Sequence, residues 1–312
     1  MSQSDKYRDI YNKEIICKGR GIVFSYEPFS DKFVFAPFSH NVGETAVEAL
    51  GELMRHNLFF YAFGENEVVK YYEDGMFATL QESAKFAFKQ RLPDRSEIND
   101  GLPSEALLDL LIQMYTPNAY KLAVRTLFRQ NDKNEIKGYD STYFTRAEKG
   151  FSLWLGQAKL GGESYCKEYR HKDLLDKFKD VYLSKQLFFV CDKPVELTDD
   201  AKEILRIINK LNISTMEEDE KTRAKKLIEC FKTEKIKIKI PCLLAYGKSD
   251  VYGNVSELYA KVISEAETVR DYYKRHTYVF DGFSPEIVFY VFPIESIDRL
   301  RDKEKGFYAG LC

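Results

Sequence analysis

Residues 138–159 read GYDSTYFTRAEKGFSLWLGQAK, and this stretch decides the predicted fold. Side chains on a β-strand point to alternating faces, so every second residue of the later half lies on one side. That side begins with three apolar residues, which are Phe151, Leu153 and Leu155. Gln157 and Lys159 continue it and end the apolar row with polar groups. Polar groups in a core-facing row must be paired, hydrated or functional, so we predict a strand over Phe151–Leu160 that ends in a polar site.

The earlier half of the stretch predicts another strand over Gly138–Arg146, joined to the following one by a hairpin. Gly150 can supply the left-handed residue that such a connection needs. A connection of even length places Asp140 opposite Gln157 on one face, with their Cβ atoms about 5 Å apart. An odd length would put them on opposite faces. A site shared by Asp140 and Gln157 therefore requires an even connection over 147–150.

The predicted pair has the chemistry of a site for a hard divalent cation. Asp140 offers a carboxylate oxygen, Gln157 an amide oxygen and Ala158 a backbone carbonyl, and Mg²⁺ or Mn²⁺ prefers such oxygen ligands. Lys159 would then lie beside a metal-bound water and a scissile phosphate, where its charge offsets developing negative charge. Upstream, Glu105 lies on the inward face of a predicted helix and could reach the site as an outer carboxylate.

The order of the elements around this hairpin is informative. A helix is predicted from Pro103 to Tyr115 with Ser104 as its N-cap. The elements that follow are three strands, a helix and a strand, over Lys121–Arg129, Gly138–Arg146, Phe151–Leu160, Cys166–Leu183 and Gln186–Cys191. Mostly helical sequence continues to Phe231, and two more strands enclose a helix, over Lys237–Tyr246, Glu257–Arg275 and Glu286–Pro293.

Residues 1–95 form a separate predicted region that is rich in aromatic residues. It contains two strands and two helices, over Ile22–Tyr26, Lys32–Ala36, Glu44–Asn57 and Met76–Gln90. The polar stretch Leu92–Pro103 contains two prolines and a glycine, which favours a boundary there. We therefore expect an N-terminal α+β region over 1–95 and a second domain over 96–312.

Composition limits the function classes. The chain has 312 residues with 47 Lys and Arg against 49 Asp and Glu, so its net charge of −2 gives no basic surplus for binding DNA unaided. The apolar runs are too short to span a bilayer and no secretory signal is recognisable, so we expect a soluble, cytoplasmic protein without a membrane partner. The six cysteines lack a C-x-x-C pair and the four histidines lack an H-E-x-x-H motif, which argues against disulfides and zinc hydrolysis.

Two glycine motifs do not support nucleotide binding. Gly247-Lys248-Ser249 follows a predicted strand as a phosphate-binding loop would, but Cys242 stands where the first glycine of that motif belongs. Gly19-Arg20-Gly21 lacks the third glycine of a dinucleotide fingerprint. The sequence also has no G-x-S-x-G, which argues against a serine hydrolase.

The helix, strands and motifs together resemble the core of the PD-(D/E)xK nuclease superfamily. The sequence of residues 150–159, together with the later segments Ile240–Tyr246 and Val291–Ile294, resembles that of the HamA family, the nuclease effectors of Hachiman antiphage defence. The resemblance implies an α/β (α+β) fold with a restriction-endonuclease-like core, in which helices flank a mixed central sheet. It also implies Mg²⁺-dependent DNA cleavage and a heterodimer with the superfamily 2 helicase HamB. Gln157 departs from the glutamate that is usual in that family.

Three hypotheses remain open at this point. The first is a metal-dependent DNA nuclease in which Asp140, Gln157 and Lys159 are catalytic, with Glu105 in support. The second, motivated by Gln157, is a nuclease-fold subunit that binds DNA or the helicase without cutting. The third is an unrelated α/β interaction protein with an accidental motif. For residues 1–95 we expect a role in docking the helicase, because of their aromatic content.

Overall fold

A computed structural model describes residues 3–92, 101–123, 138–146, 148, 150–191 and 199–311. Twelve α-helices lie within these ranges: α1 Gln3–Tyr11, α2 Cys17–Gly19, α3 Ala46–Ala62, α4 Glu65–Glu73, α5 Leu80–Arg91, α6 Leu102–Tyr115, α7 Glu163–Asp176, α8 Asp180–Cys191, α9 Asp199–Ser214, α10 Glu220–Thr233, α11 Leu258–Lys274 and α12 Ile297–Arg301. A π-helical turn, Asn12–Ile16, joins α1 to α2, and two 3₁₀ turns, Ser249–Tyr252 and Val255–Glu257, precede α11. Among the helices so described, none combines the length and the hydrophobicity needed to cross a bilayer.

One mixed sheet organises the fold, with eight strands in the described part of the chain: β1 Val23–Ser25, β2 Phe29–Ser30, β3 Val34–His40, β4 Tyr120–Ala123, β5 Ser141–Arg146, β6 Phe151–Gly161, β7 Ile236–Gly247 and β8 Glu286–Ile294. Their order is β1-β3-β8-β7-β6-β5-β4, with β2 pairing β3 at one end. The centre, from β3 to β6, is parallel, whereas β5 and β4 add to it antiparallel. The predicted mixed sheet flanked by helices is confirmed.

Helices cover both faces of the sheet. Trp154, Ala158 and Leu160 of β6 face a core that contains α1, α3, α5 and α6. The alternate residues of β6, including Leu153 and Leu155, face a second core formed with α7 to α11. Because the faces alternate along β6, Gln157 and Lys159 project from the face that α7 covers.

The two predicted regions, 1–95 and 96–312, contribute strands to the same sheet. The predicted boundary itself, within 93–100, lies outside the described residues. Strand β3 pairs in parallel with β8, so an early strand and a late one are neighbours. The aromatic residues that suggested a docking role in 1–95 include buried core members, such as Phe35, Phe38, Phe59 and Phe60. Packing accounts for these four residues, and a role of 1–95 in docking the helicase stays a prediction.

The prediction of a strand over Gln186–Cys191 is wrong, because this segment belongs to helix α8. A short apolar run suits a buried helix as well as a strand, and packing decides between them. Leu183, Leu187 and Phe188 are buried at helical spacing, where α8 contacts α9 and α10. The parallel neighbour of β6 is instead β7, which the chain reaches only after two further helices.

Several boundaries also differ from the predictions. The single helix expected over Cys166–Leu183 is two helices, since α7 ends at Asp176 and α8 begins at Asp180. The N-cap of α6 is Gly101, and Ser104 instead donates its hydroxyl hydrogen bond back to the Gly101 carbonyl. Helix α4 was not predicted. Of the strand expected over Lys121–Arg129, only the part up to residue 123 lies within the described residues.

The hairpin of β5 and β6 has the expected register. Its pairs run from Ser141 opposite Gly156 to Arg146 opposite Phe151, so four residues connect the strands and the even connection is confirmed. Gly150 ends the connection with φ at +99°, and a Cβ there would lie 2.3 Å from the Lys235 carbonyl oxygen. Only glycine fits this backbone position without strain.

We expect Gly150→Ala to lower the free energy of unfolding by about 1–3 kcal/mol, because an L side chain combines an unfavourable φ with a clash against backbone. Urea unfolding followed by circular dichroism measures it. Gly253→Ala is the matched control, since its φ is −67° and the nearest atom to its Cβ is 3.8 Å away. Equal stability of the two variants would contradict this account of the hairpin.

Candidate active site

Asp140 lies where the β5–β6 ladder ends. The last regular pair is Ser141 with Gly156, and one position beyond it the Asp140 N–H donates to the Gly156 carbonyl at 2.9 Å. The Asp140 carboxylate accepts a hydrogen bond from the Ala158 N–H at 2.7 Å. The N–H and carbonyl of one strand residue point to the same edge of the strand, so the Ala158 carbonyl also points to the β5 side of β6. The carboxylate therefore fills the gap where the two strands separate.

Gln157 is fully buried between the hairpin and α7. Its Nε2 faces the Gly138 carbonyl at 3.5 Å, which is a long contact. Its Oε1 accepts hydrogen bonds from Lys177 Nζ at 2.7 Å and from Arg170 Nη1 at 3.3 Å. One end of the side chain thus faces an acceptor and the other end faces two cationic donors. An amide satisfies both ends, whereas a carboxylate would face the Gly138 carbonyl with a second acceptor.

Lys159 lies two residues further along the same face of β6 and is partly exposed. Burial lowers the pKa of its ammonium group below the ordinary value for lysine, and the guanidinium of Arg170 lowers it further. The carboxylates of Asp140 and Asp173 act in the opposite direction. Lys159 is therefore close enough to Asp140 for their charges to interact, and the hairpin brings all three predicted residues into one region.

Three further charged residues come from α7 and the residue that caps it, and the sequence analysis missed them. Arg170 is fully buried and bonds Asp173 at 2.9 Å, and Lys177 forms an ion pair with Asp173 at 3.2 Å. Among the residues that the structure describes, the Nε and Nη2 atoms of Arg170 have no hydrogen-bond partner, which is rare for buried guanidinium donors. One feature of the sequence could have indicated Arg170. It lies four residues after Cys166 and four before Leu174, and this spacing puts a charged residue on the buried face of a helix.

Tyr139 fixes the position of these charges. Its hydroxyl donates to the Lys177 carbonyl at 2.9 Å, and its ring packs against Phe178 with the centroids 5.2 Å apart. The residue before Asp140 is thus fastened to the end of α7. This contact holds Lys177 beside Gln157.

A family model for HamA matches residues 22–311. The chain belongs to the HamA family. It is therefore a protein of Hachiman antiphage defence. No curated protein matches the chain. The HamA match begins at β1, so the family includes the early strands together with the hairpin and α7.

Glu105 lies on a different side of the sheet in this HamA chain. Helix α6 packs on the face opposite to the one that carries Gln157 and Lys159. The Glu105 carboxylate is buried and accepts a hydrogen bond from the Tyr61 hydroxyl at 2.6 Å. The hairpin therefore unites Asp140, Gln157 and Lys159 without Glu105 on their face, and a supporting role for Glu105 stays a prediction.

The local charge balance of the HamA site is positive. Lys159, Arg170 and Lys177 supply three cations against the carboxylates of Asp140 and Asp173. Within the described ranges, no group of three or more His, Cys, Asp or Glu side chains is close enough to hold a metal ion. A metal site here would instead rest on one carboxylate with amide and backbone oxygens.

We expect Arg170→Gln to raise the pKa of Lys159, because removing a nearby positive charge favours the charged ammonium. NMR titration of the ¹⁵N-labelled lysine Nζ signals measures the pKa, and circular dichroism checks that the variant folds. Arg275→Gln removes a charge from an exposed residue at the end of α11 and is the matched control. An unchanged Lys159 pKa in folded Arg170→Gln would refute the coupling.

Proposed function

We propose that this HamA-family chain is a metal-dependent deoxyribonuclease that acts together with a helicase. The observation that carries the proposal is the convergence of Asp140, Gln157 and Lys159 at the end of the hairpin ladder. A carboxylate, an amide and an ammonium group there match the ligand and charge-stabilising roles that phosphodiester hydrolysis needs. The position of the site, between diverging strands and a helix, also matches the resemblance drawn from the sequence.

The donor atoms fit Mg²⁺ or Mn²⁺ in their chemistry. Asp140 offers a carboxylate, Gln157 an amide oxygen and Ala158 a carbonyl, all of them hard oxygen donors. When bound, the metal would supply charge stabilisation and an activated water. The ammonium of Lys177 already lies 2.7 Å from the Gln157 oxygen, so a cation is accommodated at that atom.

That same ammonium group restrains the site. A carbonyl oxygen has two lone pairs, and Arg170 and Lys177 use both of those on Gln157. The Arg170 side chain is fully buried and held by its ion pair with Asp173. The Lys177 side chain is flexible and partly exposed. Lys177 is therefore the donor that must withdraw before Gln157 can become a metal ligand.

Lys159 and Arg170 account for the electrostatic part of the proposed activity. Lys159 projects beside Asp140 from a partly buried position, where its charge is less screened by water than on an open surface. In our proposal its ammonium holds a phosphate oxygen and orients the attacking water. Arg170 lies behind it and orients the Gln157 amide through its hydrogen bond.

The helicase part of the proposal rests on the family resemblance and on charge. With a net charge of −2 the chain has no overall attraction for DNA phosphates. A partner that delivers DNA compensates for this. The expected assembly is a heterodimer with a superfamily 2 helicase of the HamB type.

A second candidate function is a subunit that binds DNA or the helicase without cutting. The observation that favours it is the double hydrogen bonding of Gln157 by Arg170 and Lys177, which occupies both lone pairs that the amide oxygen would offer to a metal. The two candidates differ in whether Lys177 can be displaced. Cleavage assays separate them directly.

For the nuclease, we expect Asp140→Asn and Lys159→Ala each to lower plasmid cleavage by about 100-fold or more, because each removes a ligand or a charge that acts on the reaction. Asparagine keeps an acceptor for the Ala158 N–H, so the hairpin end is preserved. The assay uses Mg²⁺ or Mn²⁺, with and without the helicase.

Asp271→Asn and Lys274→Ala are the matched controls for these variants, since both residues are exposed on α11. Undiminished cleavage by Asp140→Asn and Lys159→Ala would refute the proposed catalytic site. An intact plasmid with wild-type protein under every metal and partner condition would support the subunit that does not cut.

We expect Lys177→Ala to bind Mn²⁺ about tenfold more tightly, a change of ~1.4 kcal/mol, because it frees a lone pair of Gln157 from a charge-assisted hydrogen bond. Isothermal titration calorimetry measures the affinity. Lys179→Ala is the control, since it removes an exposed positive charge that pairs with Asp176. Equal Mn²⁺ affinities for Lys177→Ala and wild type would rule out the competition.

A further inference from the structure

Two tyrosines are exposed on α7 next to the candidate site. Tyr165 and Tyr169 lie one helical turn apart and are each 45% exposed, with ring centroids 4.5 Å apart and an interplanar angle of 43°. The Tyr165 ring lies over the end of β6, where a Cβ on Gly161 would be 3.2 Å from it. The pair therefore lies where β6 emerges from the site.

Ammonium groups surround the second of these rings. Lys159 Nζ lies 6.0 Å from the centroid of Tyr169, and Lys172 Nζ lies 5.1 Å from the same centroid. Lys159 thus interacts electrostatically with Asp140 and also lies near the ring of Tyr169. Aromatic faces beside positive charges match the two parts of a nucleotide, which are a flat base and an anionic phosphate.

The fold does not need these rings for its core. Helix α7 is anchored to the sheet by its other face, where Cys166, Arg170 and Leu174 are buried. Tyr165 and Tyr169 lie at the exposed edge of that face, and Lys172 is exposed beside Tyr169. An adjacent pair of exposed aromatic residues is a signal of a binding surface rather than of packing.

We propose that Tyr165 and Tyr169 form a stacking platform for unpaired nucleobases, which directs single-stranded or frayed DNA to Lys159. This inference rests on the proposed function and defines its substrate class. Bases inside a duplex are stacked on their neighbours, so unpaired bases are the ones whose faces are available. Every base has such a face, so the platform selects for single-strandedness without selecting a sequence.

The test measures DNA binding by the full chain in EDTA, where binding is separated from cleavage. The probe is a fluorescein-labelled oligothymidine of about 12 nucleotides, within the usual size of single-strand sites, and a duplex of equal length is compared with it. The double variant Tyr165→Ala/Tyr169→Ala should lose about tenfold or more in affinity for the single strand and little for the duplex. Tyr165→Phe/Tyr169→Phe should bind like wild type, because it keeps both rings.

Two controls strengthen this test. Tyr259→Ala removes an exposed tyrosine from α11 and should leave single-strand affinity unchanged. Lys172→Ala should lower the salt dependence of binding by about one phosphate contact, whereas the tyrosine variants should not change it. A phosphate contact and a stacking contact are distinguished in this way.

Unchanged single-strand affinity in the double alanine variant would overturn the platform. The same holds for equal losses on single strand and duplex, or for a phenylalanine variant as weak as the alanine one. Loss of helicase co-purification with normal DNA binding would identify a protein-docking surface and would also overturn it. If wild type binds as expected in EDTA but never cleaves with metal, the platform stands and the nuclease proposal fails.

Discussion

The register of β6 is the constraint on which the candidate site depends. This strand pairs antiparallel with β5 on one edge and parallel with β7 on the other, and each ladder fixes the same set of residues toward α7. A slip of one residue would send Gln157 and Lys159 to the opposite face, under α6. The glycine turn at Gly150 and the apolar rows on both faces prevent such a slip, since each alternative register would bury polar groups without partners.

Around that fixed strand, α7 decides the electrostatic character of the site. Its buried face inserts Arg170 behind Gln157, and Tyr139 ties the end of the helix to the start of β5. The glutamine is therefore matched to its surroundings at both ends, with a carbonyl on one side and two cations on the other. This match explains, independently of metal binding, how a neutral side chain is accommodated at position 157.

Local periodicity was enough to predict the hairpin and the shared face of Gln157 and Lys159, because strand parity depends only on neighbouring residues. It did not decide the parity of the connection, which the register of the two strands shows to be even. The same reasoning failed for 186–191, since a short apolar run carries no period of its own and the packing of α8 against α9 and α10 decided its structure. The roles of Arg170 and Lys177 could not be predicted from the sequence for a related reason. Their roles depend on how α7 docks on the sheet, which sequence spacing does not encode. The partner of Glu105 was missed because Tyr61 lies on another helix, 44 positions earlier in the chain.

The pairing of β3 with β8 has a consequence for synthesis of the protein. Val34 lies opposite Val288, so this pair of strands cannot form until residue 288 has left the ribosome. Contacts of such long sequence separation form late, because the entropy of closing the intervening chain must be overcome first. The β5–β6 hairpin can form earlier, but its parallel partner β7 and the next strand β8 follow about 75 residues or more later in the chain and complete the scaffold only then. A nascent chain therefore cannot present the completed scaffold around the site before β8 has emerged from the ribosome.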